Sequence, residues 1–291
     1  MPNKNHRINI ANQVNLISGT DVPLPSMVEI SNSGTCNRSC SFCPRSDPTY
    51  PNIPEFITTT LIIKLGKQLA EQRYSGLILF AGFCEPLLDK RLNLHIAILR
   101  SLLPNSIIEV VTNGDVLTTE RISSLFRAGL SRLLISAYDG IEQVNYFQEI
   151  CDAANIRGGY TEVRHRYLPP EEKFGIILSN RGGRMANAEF AIPTLADPLT
   201  SPCLYTSYMF FMNYNGEVLL CPHDWHESGL VGNMKEETFI DIWTGDKFRN
   251  YRKKLLNGDR THLPCSGCDV PGTLMGENHA VLWLEEINES A

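Results

Sequence analysis

The first two thirds of the chain alternate short apolar runs with segments whose apolar residues recur every three or four positions. MVEIS (27–31), LILFAG (77–82), IIEVVTNG (107–114), RLLIS (132–136) and TEVRHRY (161–167) are β-branched or nearly continuously apolar, as buried parallel strands are. Between them, Leu61, Leu65 and Leu69 share one helical face, and Ile122, Leu125 and Phe126 repeat that spacing between a threonine cap and Gly129. Repeated βα units with right-handed crossovers predict an α/β fold whose parallel sheet is open or curled into a barrel. EKFGIILSN (172–180) patterns weakly as a further unit, so the count is five or six.

After residue 190 the pattern changes. PTLADPLTSPC (193–203) reads as a linker, and YMFFMNYNGEVLLC (208–221) sets two apolar runs around an Asn-Gly turn, a hairpin signal. Short helices are expected at 236–244 and 246–257. The chain therefore divides into an N-terminal segment (1–25), a βα domain (26–192) and a small C-terminal domain (193–291). The last has little core of its own, so bound metal would help to hold it.

Composition changes this picture only in what it excludes. The 291 residues are 43% hydrophobic and 20% charged with a net charge of −6, which fits an ordinary globular protein. No block of like charge suggests a nucleic-acid groove or an anionic membrane surface. The start has no signal-peptide core and no apolar run is long enough to span a membrane, so a cytoplasmic location is expected.

The nine cysteines are clustered, and in a reducing compartment clustering points to ligand binding rather than disulfides. Cys36, Cys40 and Cys43 form one group; Cys203, Cys221, Cys265 and Cys268 form another. Cys84 stands alone, as does Cys151, which is expected on the apolar face of a helix. The triplet follows the first strand, and GFCEP (82–86), TNG (112–114) and SAYDG (136–140) end the next three. Chemistry in βα folds collects at the carboxyl ends of strands, so these motifs predict one shared site. Three thiolates suit an iron–sulfur cubane with one open iron, or a zinc site completed from elsewhere. The second group can close a cluster with four thiolates or form a zinc ribbon. His223 and His226 flank Cys221 and are candidates to replace a thiolate, or to lie behind the ligands or at the surface.

C-x3-C-x2-C with Phe42 before the last cysteine, in the loop after the first strand, resembles the signature of the radical S-adenosylmethionine (SAM) enzymes. C-x12-G-x4-C through Gly216, followed by C-x2-C, resembles the half-length "twitch" form of the SPASM extension. The resemblance implies a partial (β/α)5–6 TIM-like barrel with a small C-terminal hairpin-plus-helix auxiliary iron–sulfur domain. It also implies a [4Fe-4S] cluster on Cys36, Cys40 and Cys43 whose open iron binds SAM, and one auxiliary [4Fe-4S] cluster on Cys203, Cys221, Cys265 and Cys268. Phe42, Gly82, Glu85, Thr112, Asn113, Ser136, Asp139, Arg164 and Arg166 are the implied SAM-site residues, and a flavodoxin- or ferredoxin-type protein the implied electron donor. Cys84 departs from the family, standing where glycine is usual.

A complete auxiliary ligand set leaves no open iron, so its natural role is to accept an electron from a substrate radical. The expected reaction is oxidation of an alcohol in a sugar-like or cyclitol-like small molecule. Arg181 and Arg184, in SNRGGRM (179–185), are candidates to bind an anionic group or stabilise an alkoxide, because arginine stays protonated. Epimerisation with Cys84 as hydrogen donor, peptide modification, and a non-catalytic electron carrier or metal-binding protein are the alternatives.

Overall fold

In the computed structural model, which describes residues 2–289, five parallel strands form the βα domain. They are β1 (Met27–Ser31), β2 (Leu77–Phe80), β3 (Ile107–Thr112), β4 (Arg132–Ala137) and β5 (Tyr160–His165). Helices precede and follow them: α1 (Pro2–Ala11), α2 (Thr59–Glu71), α3 (Leu92–Leu102), α4 (Thr119–Arg127) and α5 (Ile141–Ala154). Thr58 and Thr118 cap α2 and α4, accepting from the amides of Leu61 and Arg121, which satisfies donors that a helix start leaves open. Val28, Ile30, Ile78, Phe80, Ile108 and Val110 belong to the main apolar cluster together with Leu61, Leu65 and Leu69 of α2. Burying a side chain of this kind is worth roughly 1.5–3 kcal/mol, and this packing fixes which face of the sheet looks inward.

Residues 172–180 form no strand, so the βα units number five. Pro170–Gly175 is a distorted 3-10 segment in which Lys173 and Phe174 have φ of 53° and 52°, and Ile177 is 73% exposed. The prolines and Gly175 break extension, and the short apolar run buries too little to enforce it. The place beside β1 is taken instead from the C-terminal segment. Strand β6 (Met209–Asn213) pairs in parallel with β1, with Phe211 opposite Glu29 and Asn213 opposite Ser31. Strands β7 (Glu217–Leu219) and β8 (Leu230–Asn233) continue antiparallel, giving the order β8-β7-β6-β1-β2-β3-β4-β5. The hairpin therefore extends the barrel sheet, and one apolar cluster runs through both segments.

Helices follow at Phe239–Thr244, Asp246–Leu256 and Glu277–Glu289. Arg252 is fully buried, with its guanidinium 3.5 Å from the Trp283 ring centroid and 4.5 Å from that of Trp243, so cation–π contacts offset part of its desolvation. Inside the barrel, Arg7 of α1 and Arg132 of β4 donate to the buried Glu109 carboxylate at 2.5 Å and 2.9 Å. Among the described residues no helix is long and apolar enough to cross a membrane.

Candidate active site

The first cysteine group lies in the loop between β1 and a 3-10 turn at Pro44–Ser46, with all three side chains half-buried. The Cys43 amide donates to the Cys40 carbonyl at 2.9 Å, folding the triplet back on itself. Burial raises the Cys36 thiol to about 11; burial and then the Cys43 and Cys36 thiols raise Cys40 to about 12. Such thiols become ligands when a bound metal centre stabilises the thiolate.

Two residues inside the triplet tie it to the strand ends. Arg38 donates to Asp115 at 2.7 and 2.6 Å and to Asp139 at 2.9 and 2.5 Å. Asn37 donates to Asp115 at 2.9 Å and accepts from Asn113 at 2.7 Å. Asn113 also points its amide at the Cys36 sulfur, 3.9 Å away. The Asp139 carboxylate also accepts from Gln143 at 2.9 Å.

Glu85 is buried, and its carboxylate accepts from Thr112 Oγ1 at 2.6 Å, the Asn113 amide at 2.7 Å and the Leu87 amide at 2.9 Å. Burial raises its pKa while those three donors oppose the rise. A carboxylate has about four acceptor positions, so one direction remains open. Gly82 has φ of 84°, and a Cβ there would meet the Ser31 Cβ at 3.0 Å; glycine serves both needs. Phe42 packs against Tyr138 and Phe174, with ring centroids 6.0 and 4.6 Å away. Ser136 accepts from Arg164 at 3.0 Å. Arg166 donates to the Gly175 carbonyl. Burial and then Arg166 lower the Arg164 pKa to about 10. The Cys84 thiol donates to Asn32 Oδ1 at 3.4 Å and the Ala81 carbonyl at 3.5 Å, and Cys151 is partly buried against the core.

Cys203, Cys221, Cys265 and Cys268 line one small cavity, about 20 Å³, together with Tyr205, His223 and Arg260. Burial and then the other three thiols raise the Cys221 pKa, a sign of how closely the four gather. A Cβ on Gly272, whose φ is 76°, would lie 2.4 Å from the Cys203 sulfur, so backbone approaches this thiol as closely as glycine allows. These features fit a closed cluster site. Arg260, 2% exposed, donates to the carbonyls of Ser201, Pro202, Val270 and Pro271 at 2.5–2.9 Å, knitting together the segments that carry Cys203 and Cys268. His223 engages Ser179 Oγ at 3.3 Å and Tyr205 OH at 3.2 Å, and burial followed by Arg181 lowers its pKa to about 3. Both ring nitrogens are thereby occupied, whereas His226 is exposed.

The loop carrying the two candidate arginines joins the sites. Asn180 donates to the Gly267 carbonyl at 2.7 Å and its amide donates to Asp269 at 2.9 Å, docking the loop on CSGC (265–268). Arg181, Gly182 and Gly183 then have φ of 51°, 62° and 95°. Arg184 pairs with Asp47 at 3.2 Å and lies over Tyr50, lining a cleft of about 350 Å³ with Ser31, Arg45, Asn213 and Trp225. Arg181 pairs with no carboxylate among the described residues, yet acts electrostatically on Glu29, Cys43, Tyr205 and His223.

Arg38, Arg260 and Glu29 escaped sequence reasoning. The spacing of the first motif draws the eye to its cysteines rather than to Arg38, and Arg260 acts only on carbonyls distant in sequence. Glu29 left a signal: it is the charged residue in an otherwise uncharged, fully buried strand.

Comparison with known proteins agrees with this arrangement. The radical SAM superfamily matches residues 30–164, and an iron–sulfur cluster-binding domain, SPASM, matches residues 203–269. The S-adenosyl-L-methionine-dependent 2-deoxy-scyllo-inosamine dehydrogenase of Niallia circulans is 30% identical over 245 residues, covering 84% of this chain and 92% of that protein. The crystal structure of BtrN in complex with AdoMet and 2-DOIA superposes with a TM-score of 0.72 at 28% identity, covering 88% of this chain and 98% of that one. Native anSMEcpe with bound AdoMet shares the fold, with a TM-score of 0.55 at 11% identity, over 90% of this chain and 96% of that one. The chain therefore belongs to the radical SAM superfamily, an enzyme that takes SAM and [4Fe-4S] clusters as its cofactors.

Proposed function

We propose that this enzyme oxidises a secondary alcohol of an aminocyclitol-like small molecule to the ketone. Cys36, Cys40 and Cys43 hold the SAM-binding cluster in this reading, and Cys203, Cys221, Cys265 and Cys268 hold a single auxiliary cluster. The bound groups supply the redox chemistry: a 5'-deoxyadenosyl radical from SAM, and an acceptor for one electron at the auxiliary site. The chain's own residues hold and align the parts. Arg38 and Asn37 fix the first loop to the ends of β3 and β4, Glu85 braces the backbone of Asn113, and Phe42 covers the site beside Tyr138. Gly82, Thr112, Ser136, Asp139, Arg164 and Arg166 line or support the SAM site. Arg181 is placed to stabilise an alkoxide as the hydroxyl loses its proton, while Arg184, held by Asp47, shapes the neighbouring cleft. A flavodoxin- or ferredoxin-type protein supplies the electron that starts each turnover.

One observation carries this reading. The loop of Arg181 is docked on CSGC through Asn180 and reaches Asp47, just past Cys43, through Arg184, so a substrate held beside this loop meets both ends of the redox path. The relative's printed activity, dehydrogenation of 2-deoxy-scyllo-inosamine, supports the substrate class. The test is anaerobic reconstitution followed by incubation with SAM and 2-deoxy-scyllo-inosamine. Ketone and 5'-deoxyadenosine are expected in equal amounts. Absence of ketone, or re-formation of SAM at each turnover, would sink the proposal.

A further inference from the structure

Glu29 lies in the middle of β1, and the register sets it beside Leu79 and Glu109 on one side and Phe211 on the other, on the inner face of the barrel. It is 6% exposed, and no donor among the described residues hydrogen-bonds to it. Glu109 shows what a structural carboxylate looks like here: it is gripped by Arg7 at 2.5 Å and Arg132 at 2.9 Å. Leaving a buried carboxylate without donors costs several kcal/mol, so Glu29 is kept against stability. The groups facing it are Arg7 from α1, Arg181 from the loop after residue 179, Glu109 from β3 and Tyr205 from the helical turn Tyr205–Tyr208. Ser31, the next residue on the same face of β1, lines the cleft shared with Arg184, so Glu29 lies on the side of the strand that looks toward that cleft.

We propose that Glu29 is the general base of the reaction, accepting the hydroxyl proton of the alcohol while Arg181 stabilises the oxygen that loses it. This assignment rests on the dehydrogenase reading above. The carbon-bound hydrogen atom leaves with one electron to the 5'-deoxyadenosyl radical, giving 5'-deoxyadenosine and a carbon radical. The O–H bond then breaks heterolytically, its proton passing to the Glu29 carboxylate. The remaining electron goes to the auxiliary cluster, and the C–O bond becomes the ketone double bond. Burial raises the Glu29 pKa to about 7, with Arg7 and then Arg181 opposing the rise and Glu109 adding to it. A base poised near the working pH combines a populated ionised form with a useful affinity for the proton.

The experiment compares wild type, Glu29→Gln and Glu29→Asp as reconstituted holoenzymes with 2-deoxy-scyllo-inosamine, scoring ketone and 5'-deoxyadenosine from about pH 5.5 to about 9. Iron content and SAM affinity are measured alongside. Wild-type ketone formation is expected to fall about tenfold per unit below about pH 7. Glu29→Gln should lose about 100-fold or more of ketone formation and the acid limb with it, while more 5'-deoxyadenosine is released per ketone. Glu29→Asp, its carboxylate drawn back by one methylene, should keep an acid limb at a rate reduced about tenfold. The assignment alone is overturned if wild type makes ketone and Glu29→Gln matches its rate within about threefold with the limb intact. Should Glu29→Gln fail to fold, a Glu29→Asp enzyme with wild-type rate and limb overturns it equally. A wild-type enzyme that makes no ketone overturns the dehydrogenase reading, and this assignment with it.

Discussion

Truncating Arg38 is expected to weaken SAM binding without unfolding the barrel. Its guanidinium meets Asp115 as a two-bond fork at 2.6 and 2.7 Å, with side-chain exposures of 19% and 23%, whereas Asp139 is 58% exposed. The half-exposed Asp139 pair is screened and worth below about 1 kcal/mol, while the charge-assisted Asp115 fork is worth about 1.5–3 kcal/mol. Removing Arg38 also leaves two carboxylates facing each other across the gap, so the loop that carries Cys36 and Cys40 loses about 2–3 kcal/mol of anchorage. If SAM binds only the anchored loop, Arg38→Ala weakens its binding by about 30- to 150-fold. Arg38→Lys recovers little, because an ammonium cannot fork one carboxylate while reaching the second. The assay is anaerobic SAM titration of the reconstituted enzyme, with iron content measured in parallel. A dissociation constant within about threefold of wild type, at full iron content, would refute the reasoning. So would an Asp139→Asn effect larger than that of Asp115→Asn, which inverts the exposure argument.

Gly272→Ala places a Cβ 2.4 Å from the Cys203 sulfur at a φ of 76°, so iron content is expected to drop by roughly half with the SAM-dependent spectral change of the first cluster retained. Glu85→Gln turns an amide N–H toward donors that now reach the carboxylate at 2.6–2.9 Å; a stability loss of about 1–3 kcal/mol and weaker SAM binding should appear in unfolding and titration. Cys84→Ala removes only bonds to Asn32 and Ala81, so ketone formation should stay within about twofold, and a loss beyond about tenfold would refute this reading of the thiol. Glu29 has its pKa raised from 4.5 to about 7 by burial, so the native chain holds more protons than the unfolded chain between those values, and this residue's contribution to stability is lost as pH rises through that window. Glu29→Gln should therefore be more stable than wild type above about pH 7, by about 2–3 kcal/mol, and converge with it below about pH 4.5, as thermal unfolding against pH would reveal.

The five βα strands were legible because each is a short apolar run ended by a polar or glycine-bearing motif, and the observed strands differ from those runs only at their ends. The helices at 239–244 and 246–256 fell within or beside the expected segments for the same reason. The expected count of five or six units resolved to five, because the weak apolar pattern at 172–180 forms no strand where Gly175 and the preceding prolines break extension. The pairing of β6 with β1 was not legible. MFFMN reads as a fully buried strand, but no local pattern says which sheet it joins, and a parallel partner more than 180 residues away leaves no periodic trace. Within the site, cysteine spacing exposed the two thiol sets, because clusters fix ligand type and reach. Arg38 and Arg260 were hidden since their partners are carbonyls or carboxylates supplied by other strand ends and loops, and arginine at such places is ordinarily a surface residue.

In the proposed reaction two distant thiol sets share one substrate space, and the run Arg181-Gly182-Gly183 is the segment that joins them. Glycine accepts left-handed backbone freely, but arginine does not, so φ of 51° at Arg181 costs about 1 kcal/mol that its surroundings must offset. Those surroundings belong to the auxiliary side. Asn180 is held by the Gly267 carbonyl and by Asp269, and a Cβ on Gly182 would lie 2.8 Å from the His223 carbonyl. The positive charge so positioned favours the ionised forms of Glu29 on β1 and Cys43 in the first loop. Assembly of the auxiliary site thus sets the place of the one cation that faces Glu29 from that loop. If Cys265 and Cys268 hold the auxiliary cluster as proposed, a chain deprived of either loses the electron acceptor and, with the CSGC turn unpinned, also the orientation of Arg181, so electron transfer and proton removal fail together while 5'-deoxyadenosine is still formed.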